Sequence, residues 1–107
     1  MNTLEKIKLL EKYITTDVSV AADPVVEMAI EKLLRREILR MDELRQQLLK
    51  QRSEFEEKYE LSSEEFCKRY EKGKMGDDID YIEWSATIDM LSGIEERLSL
   101  LQQGASV

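Results

Sequence analysis

Residues 23–60 read DPVVEMAIEKLLRREILRMDELRQQLLKQRSEFEEKYE, and this stretch decides the fold. Asp23-Pro24 is a start signal, because Asp is a favoured N-cap and Pro suits the first helical position, where its missing N–H would go unpaired anyway. No further Gly or Pro occurs until Gly73. Apolar residues recur at Val26, Ile30, Leu33, Leu34, Ile38, Met41, Leu44, Leu48, Phe55 and Tyr59. That helical spacing predicts one long helix over 24–60. Such a helix would run to about 55 Å if straight, whereas a compact domain of this size has a radius of gyration near ~13 Å. It must therefore protrude, bend or pack against another chain. Arg45 and Arg52 interrupt the seam and argue against a strict zipper. Leu34, Ile38, Met41, Leu48 and Phe55 are left as a pairing surface, and the expectation is a homodimer, elongated and bundle-like or coiled-coil-like.

Outward toward the N-terminus, Asn2 with Glu5 has capping-box spacing, and Leu4, Ile7, Leu10 and Ile14 supply an apolar face for a first helix ending near Ile14. Thr15 to Asp23 is ambiguous. Val18 and Val20 alternate with polar residues as in a strand, and a strand followed by helices would suit a ribbon–helix–helix arm. The segment carries only acidic charge, however, so a connector or a short helical turn is the better reading. Toward the C-terminus, Ser62 with Glu65 forms a second capping box, and Leu61 and Phe66 sit where a hydrophobic staple needs them. This predicts a short helix over 63–72, presenting Phe66 and Tyr70 and stopping at Gly73. A last helix over 79–101 begins within Asp77-Asp78-Ile79-Asp80. Its apolar face is Tyr81, Trp84, Ile88, Leu91, Ile94, Leu98 and Leu101, and Ser92-Gly93 is a weak point. Residues 61–102 thus read as a helical hairpin around the Gly-Asp-Asp turn, and 103–107 as a frayed tail. The expected architecture is all-α, about four helices in a single domain over 1–107, with residues 1–22 as N-terminal helix and connector.

Composition agrees. In 107 residues there are 4 Gly and 1 Pro, and 36% are charged. That mixture suits helix or coiled coil and excludes collagen, a turn-rich sandwich and a disulfide scaffold. The lone Cys67 cannot form an intramolecular disulfide and fits a reducing compartment. No run approaches the ~18 apolar residues of a membrane span, so a soluble, cytoplasmic protein is expected. The net charge of −7 is uneven: residues 1–22 balance at +3 and −3, 23–60 carry +8 and −10, and 61–107 carry +5 and −10. A basic stripe (Arg35, Arg36, Arg40, Arg45, Lys50, Arg52) is interleaved with Glu37, Asp42 and Glu43. Nucleic-acid binding is possible on such a patch, but an acidic chain gives it little support.

The residues that could carry chemistry point away from an enzyme. There is no His, which removes the commonest proton shuttle and metal ligand. Gly76-Asp77-Asp78-Ile79-Asp80-Tyr81-Ile82-Glu83 is rich in carboxylates but lacks the length and ligand order of an EF-hand loop. Acidic side chains at a helix N-terminus cap orphan N–H groups, and Asp77 with Asp80, or Asp80 with Glu83, has the spacing to do so. Cys67 has no His to activate it and reads as a core or interface residue. Gly73 and Gly76 form no phosphate loop. No catalytic residue, metal or cofactor is assigned. Trp84, with Phe66, Tyr70, Tyr81 and Met75, marks an aromatic neighbourhood that is either a mini-core clamping the last two helices or a partner's hot spot.

The order Phe55-x-x-x-Tyr59-x-x-Ser62-Ser63-x-x-Phe66-x-x-x-Tyr70-x-x-Gly73-x-x-Gly76-Asp77-Asp78-x-Asp80-x-x-Glu83-Trp84 resembles small helical antitoxins of prokaryotic type II toxin–antitoxin-like operons. The likeness covers roughly residues 24–92. It implies a non-catalytic protein that neutralises a cognate toxin, often a ribonuclease, by direct binding, and that in many such systems represses its own operon. Phe66, Tyr70, Asp77, Asp78, Asp80 and Trp84 are the motif residues expected to meet that toxin. The alternatives are a homodimeric coiled-coil adaptor without a toxin, or a DNA-binding autorepressor using Arg35, Arg36 and Arg40.

Overall fold

The computed structural model describes residues 1–104. Every regular element among them is an α-helix: α1 Thr3–Thr16, α2 Val18–Ala21, α3 Pro24–Tyr59, α4 Ser63–Glu71 and α5 Ile79–Gly104. The all-α fold and the long helix are as the sequence predicts. The start signals also operate as read. Asn2 Oδ1 accepts from Glu5 N at 2.8 Å, Asp23 Oδ1 accepts from Val25 N at 2.8 Å, and Ser62 Oγ accepts from Glu65 N at 3.2 Å.

Three details differ. There are five helices rather than four, because Asp17 is extended (φ −146°, ψ 133°) and its carboxylate accepts from Ser19 N at 2.9 Å, starting a new turn at once. The ambiguous stretch is thus a short helical turn. The second capping box closes only halfway: the Glu65 carboxylate accepts from Arg69 Nε at 3.2 Å, and Ser63 N donates to Glu56 Oε2 of α3 at 2.9 Å. Finally, α5 runs unbroken past Ser92-Gly93 and on to Gly104. Of the tail expected over 103–107, the first two residues are helical, and 105–107 lie outside the described residues.

Where the length suggests one domain, the chain divides into two compact units, Met1–Arg36 and Glu37–Val107, with the boundary inside α3. The first unit holds α1, α2 and the opening turns of α3, and none of its residues is buried.

The second unit has a closed interior. Met41 and Leu48 of α3 pack with Leu91, Ile94 and Leu98 of α5, flanked by Ile38, Leu49 and Leu101. The pairs Arg45–Glu95, Phe55–Trp84 and Lys58–Asp80 rise along α3 as they fall along α5, so the two helices are antiparallel. This corrects the expected pairing surface. Met41 and Leu48 keep only 8% and 6% exposure, so their apolar area is spent on α5 of the same chain. Ile38 packs on that same core, and Phe55 stacks on Trp84. Leu34 is half-buried and belongs to the first unit.

The turns either side of α4 share one solution. At the end of α3, Leu61 N donates to Glu56 O (3.2 Å) and Glu60 N to Glu57 O (3.4 Å); at the end of α4, Lys74 N donates to Arg69 O (2.9 Å) and Gly73 N to Tyr70 O (3.0 Å). Both are Schellman closures, which need a left-handed residue. Gly73 supplies it at φ 70°, but at the first turn Glu60 takes φ 50°. A side chain in that region costs roughly 1–2 kcal/mol. Glu60→Gly is therefore expected to raise unfolding free energy by about 1 kcal/mol, and Gly73→Ala to lower it by about the same. Urea titration of the two variants beside the parent protein measures both signs.

Candidate functional site

Every aromatic residue except Tyr13 gathers where α3, α4 and α5 meet. Trp84 is at the centre. Its ring lies 4.0 Å from Phe66 at 6° between planes, with Phe55 at 5.7 Å and Tyr59 at 5.9 Å. Its Nε1–H donates to Ser63 Oγ at 3.0 Å, so the one polar atom of the indole is satisfied inside the cluster. Tyr81 leans on Phe66 and Tyr59, and Tyr70 on Phe66. Thr87, one turn beyond Trp84, is fully buried and donates to Glu83 O at 2.8 Å.

Trp84 and Phe66 are both 0% exposed. Of the two readings of this neighbourhood, the geometry is that of the mini-core, and the expectation that these two side chains touch a partner is corrected: neither offers surface. Tyr70 is half-buried. The structure adds Phe55 and Tyr59 from α3 to the cluster, which the sequence placed on a pairing seam. Nothing in their spacing marks them as Trp84's neighbours.

The acidic run divides by role. Asp78 is the cap, its Oδ1 accepting from Asp80 N at 2.9 Å, which replaces the two caps inferred from spacing. Asp80 points back to α3, where Oδ2 accepts from Lys58 Nζ at 2.6 Å and from Tyr59 O–H at 2.5 Å. Asp77 and Glu83 are exposed, and Gly76 turns the chain before them at φ 83°. Among the described residues no three acidic or thiol side chains converge as a metal ion would need. The Cys67 thiol is pushed up by burial and by the nearby Glu71 and Asp89 carboxylates, so little thiolate exists at neutral pH.

The basic stripe is partly neutralised on its own helix. Arg35 meets Glu31 at 3.0 Å and Arg40 meets Glu37 at 3.6 Å, while Arg45 lies 3.8 Å from both Asp42 and Glu95. Exposed pairs of this kind add little stability, but they reduce the positive field that a nucleic acid would feel. No described helix is long and apolar enough to cross a membrane.

The Lys58–Asp80–Tyr59 contact ties the start of α5 to the end of α3 and carries a pH signature. The Lys58 ammonium, then the Tyr59 hydroxyl, hold the Asp80 carboxyl below the usual Asp range. The Asp80 carboxylate in turn raises Lys58 and Tyr59 above theirs. A lowered acid stabilises the fold above its unfolded pKa, and that contribution disappears as pH falls through the folded value. Raised Lys and Tyr groups contribute below their unfolded pKa values and cease to do so as pH rises through the folded ones. Relative to Asp80→Asn, the parent protein should gain melting temperature across neutral pH. The gain should begin to fall as pH drops below about 4 and again as it rises above about 10, and should disappear only beyond the shifted folded values, as thermal unfolding across pH will measure.

Neither a family model, nor a curated protein, nor a solved structure matches this chain.

Proposed function

We propose that the chain is a non-catalytic protein-interaction module, an antitoxin that neutralises a cognate toxin by direct binding. The observation that carries this reading is the location of the net charge. Residues 37–107 hold 10 Lys plus Arg against 17 Asp plus Glu, which accounts for the whole −7. The apolar side chains that organise this unit are turned inward to α5 and Trp84, and on its exterior carboxylates outnumber cations, beside exposed apolar residues such as Leu39, Ile79 and Leu100. An acidic exterior attracts a basic partner over several ångströms and orients its approach. A toxin that handles RNA needs a basic cleft. Covering that cleft with carboxylates in place of phosphates blocks it without any chemistry by the antitoxin. The resemblance of residues 24–92 to small helical antitoxins supports the same reading. Within it, Asp77, Asp78 and Glu83 act at the surface, whereas Phe66 and Trp84 set the shape of that surface from inside.

The test is co-expression with the product of the adjacent open reading frame, followed by affinity capture and a growth assay. A complex that relieves growth inhibition is the expected result. The combined variant Asp77→Asn, Asp78→Asn and Glu83→Gln keeps the cap, since Asn serves as well as Asp there. It should weaken the complex at least tenfold at low salt and flatten its salt dependence. A neighbour that neither binds nor harms cells would leave the homodimeric adaptor as the better description.

A further inference from the structure

We propose that residues 1–36 form the surface through which two copies of this chain pair. The first reason is the lack of an interior. Leu4, Ile7, Tyr13, Val25, Met28 and Leu33 are all more than half exposed, between 55% and 74%. Below about 40 residues a folded unit usually needs disulfides, a metal or oligomerisation. This one has no Cys and no His, so oligomerisation is the route that fits its composition.

The second reason is how the apolar side chains are distributed. At 100° per residue, Leu4, Ile7, Leu9, Leu10, Tyr13 and Ile14 cover about 220° of the circumference of α1. A helix lying on a surface needs only about half of that, and one apolar on most sides belongs inside a bundle. The opening turns of α3 add Val26, Ile30, Leu33 and Leu34 at i, i+4, i+7 and i+8, none of them buried. Two copies would bring four such helical segments to one core. Each large apolar side chain of the unit exposes on the order of 100 Å². Ten are at least 47% exposed, so the supply is comparable with the roughly 800 Å² per partner of a standard interface.

Charge selects a second copy over a charged partner. Residues 1–36 hold six Lys plus Arg and six Asp plus Glu, in contrast to the strongly acidic remainder. Two such surfaces meet without net repulsion, and a two-fold axis places each patch on its own equivalent. A strongly basic or acidic partner would gain no steering here. The pairing is independent of the antitoxin reading, which rests on the other unit.

Light scattering on the full chain is the test. The parent protein should run at twice the mass of one chain. Ile7→Lys with Leu10→Lys, and separately Leu33→Lys, should bring it to the mass of one chain. The substituted side chains are exposed and Lys is a good helix former, so circular dichroism should show helix retained. Met90→Lys, on an exposed apolar residue of α5, should leave the mass doubled. A parent protein of single mass overturns the proposal, whether or not it captures a toxin. Doubled mass in the α1 and α3 variants, or its loss in Met90→Lys, overturns it as well.

Discussion

The face-to-face contact of Trp84 with Phe66, 4.0 Å between centroids, is the constraint on which residues 37–104 depend. It joins α4 to α5, and the rings of Phe55 and Tyr59 on the other flank bring in α3. Buried aromatic rings contribute large apolar areas and add about 0.5–1.5 kcal/mol per pair through their geometry. The same indole would be a liability if its N–H were orphaned, and the Ser63 hydroxyl prevents that. Ser63 is held in turn by the Glu56 carboxylate on its backbone N–H, so a short polar chain from α3 fixes the donor–acceptor pair. Aliphatic packing of Met41 and Leu48 on α5 then extends the pairing away from the aromatic end.

How much of this is legible in the sequence depends on the range of the interaction. Local signals were readable: Asp23-Pro24, Asn2, Ser62 and Gly73 act within four residues of themselves, and each starts or ends a helix as its chemistry dictates. The apolar face of the last helix was also readable, since Trp84, Leu91, Ile94 and Leu98 repeat at helical spacing and are all buried. What covers a face is not encoded in its period. The stripe Ile38, Met41 and Leu48 suits a second chain as well as α5, and periodicity alone does not choose. Asp80 shows the same gap: its run looked like a set of caps, but its partners Lys58 and Tyr59 lie 22 and 21 residues away. Glu60 is a third case, because a left-handed residue with a side chain breaks the rule by which such turns are recognised.

The two units differ in interior and in net charge. Residues 37–104 have a closed apolar interior and a net acidic charge, whereas residues 1–36 are electrically balanced, bury no residue and display Leu, Ile, Val and Met. A protein with one net acidic unit and one of balanced charge and exposed apolar side chains is divided by chemistry as well as by contacts. The field of a net charge is long-ranged and falls with salt. Attraction between apolar surfaces, by contrast, is short-ranged and depends on the exclusion of water.

The placement of Trp84 also decides what light reports about this molecule. It is the only Trp, and it is sealed in the aromatic cluster of residues 37–104, whereas residues 1–36 contain Tyr13 as their single aromatic residue. Indole emission therefore follows the melting of one unit and is silent on the other. Loss of α1 and α2 would register in total helix content while the fluorescence stayed unchanged. Coincident transitions in the two signals would mean that the units unfold as one cooperative block, and separated transitions would resolve them without any label.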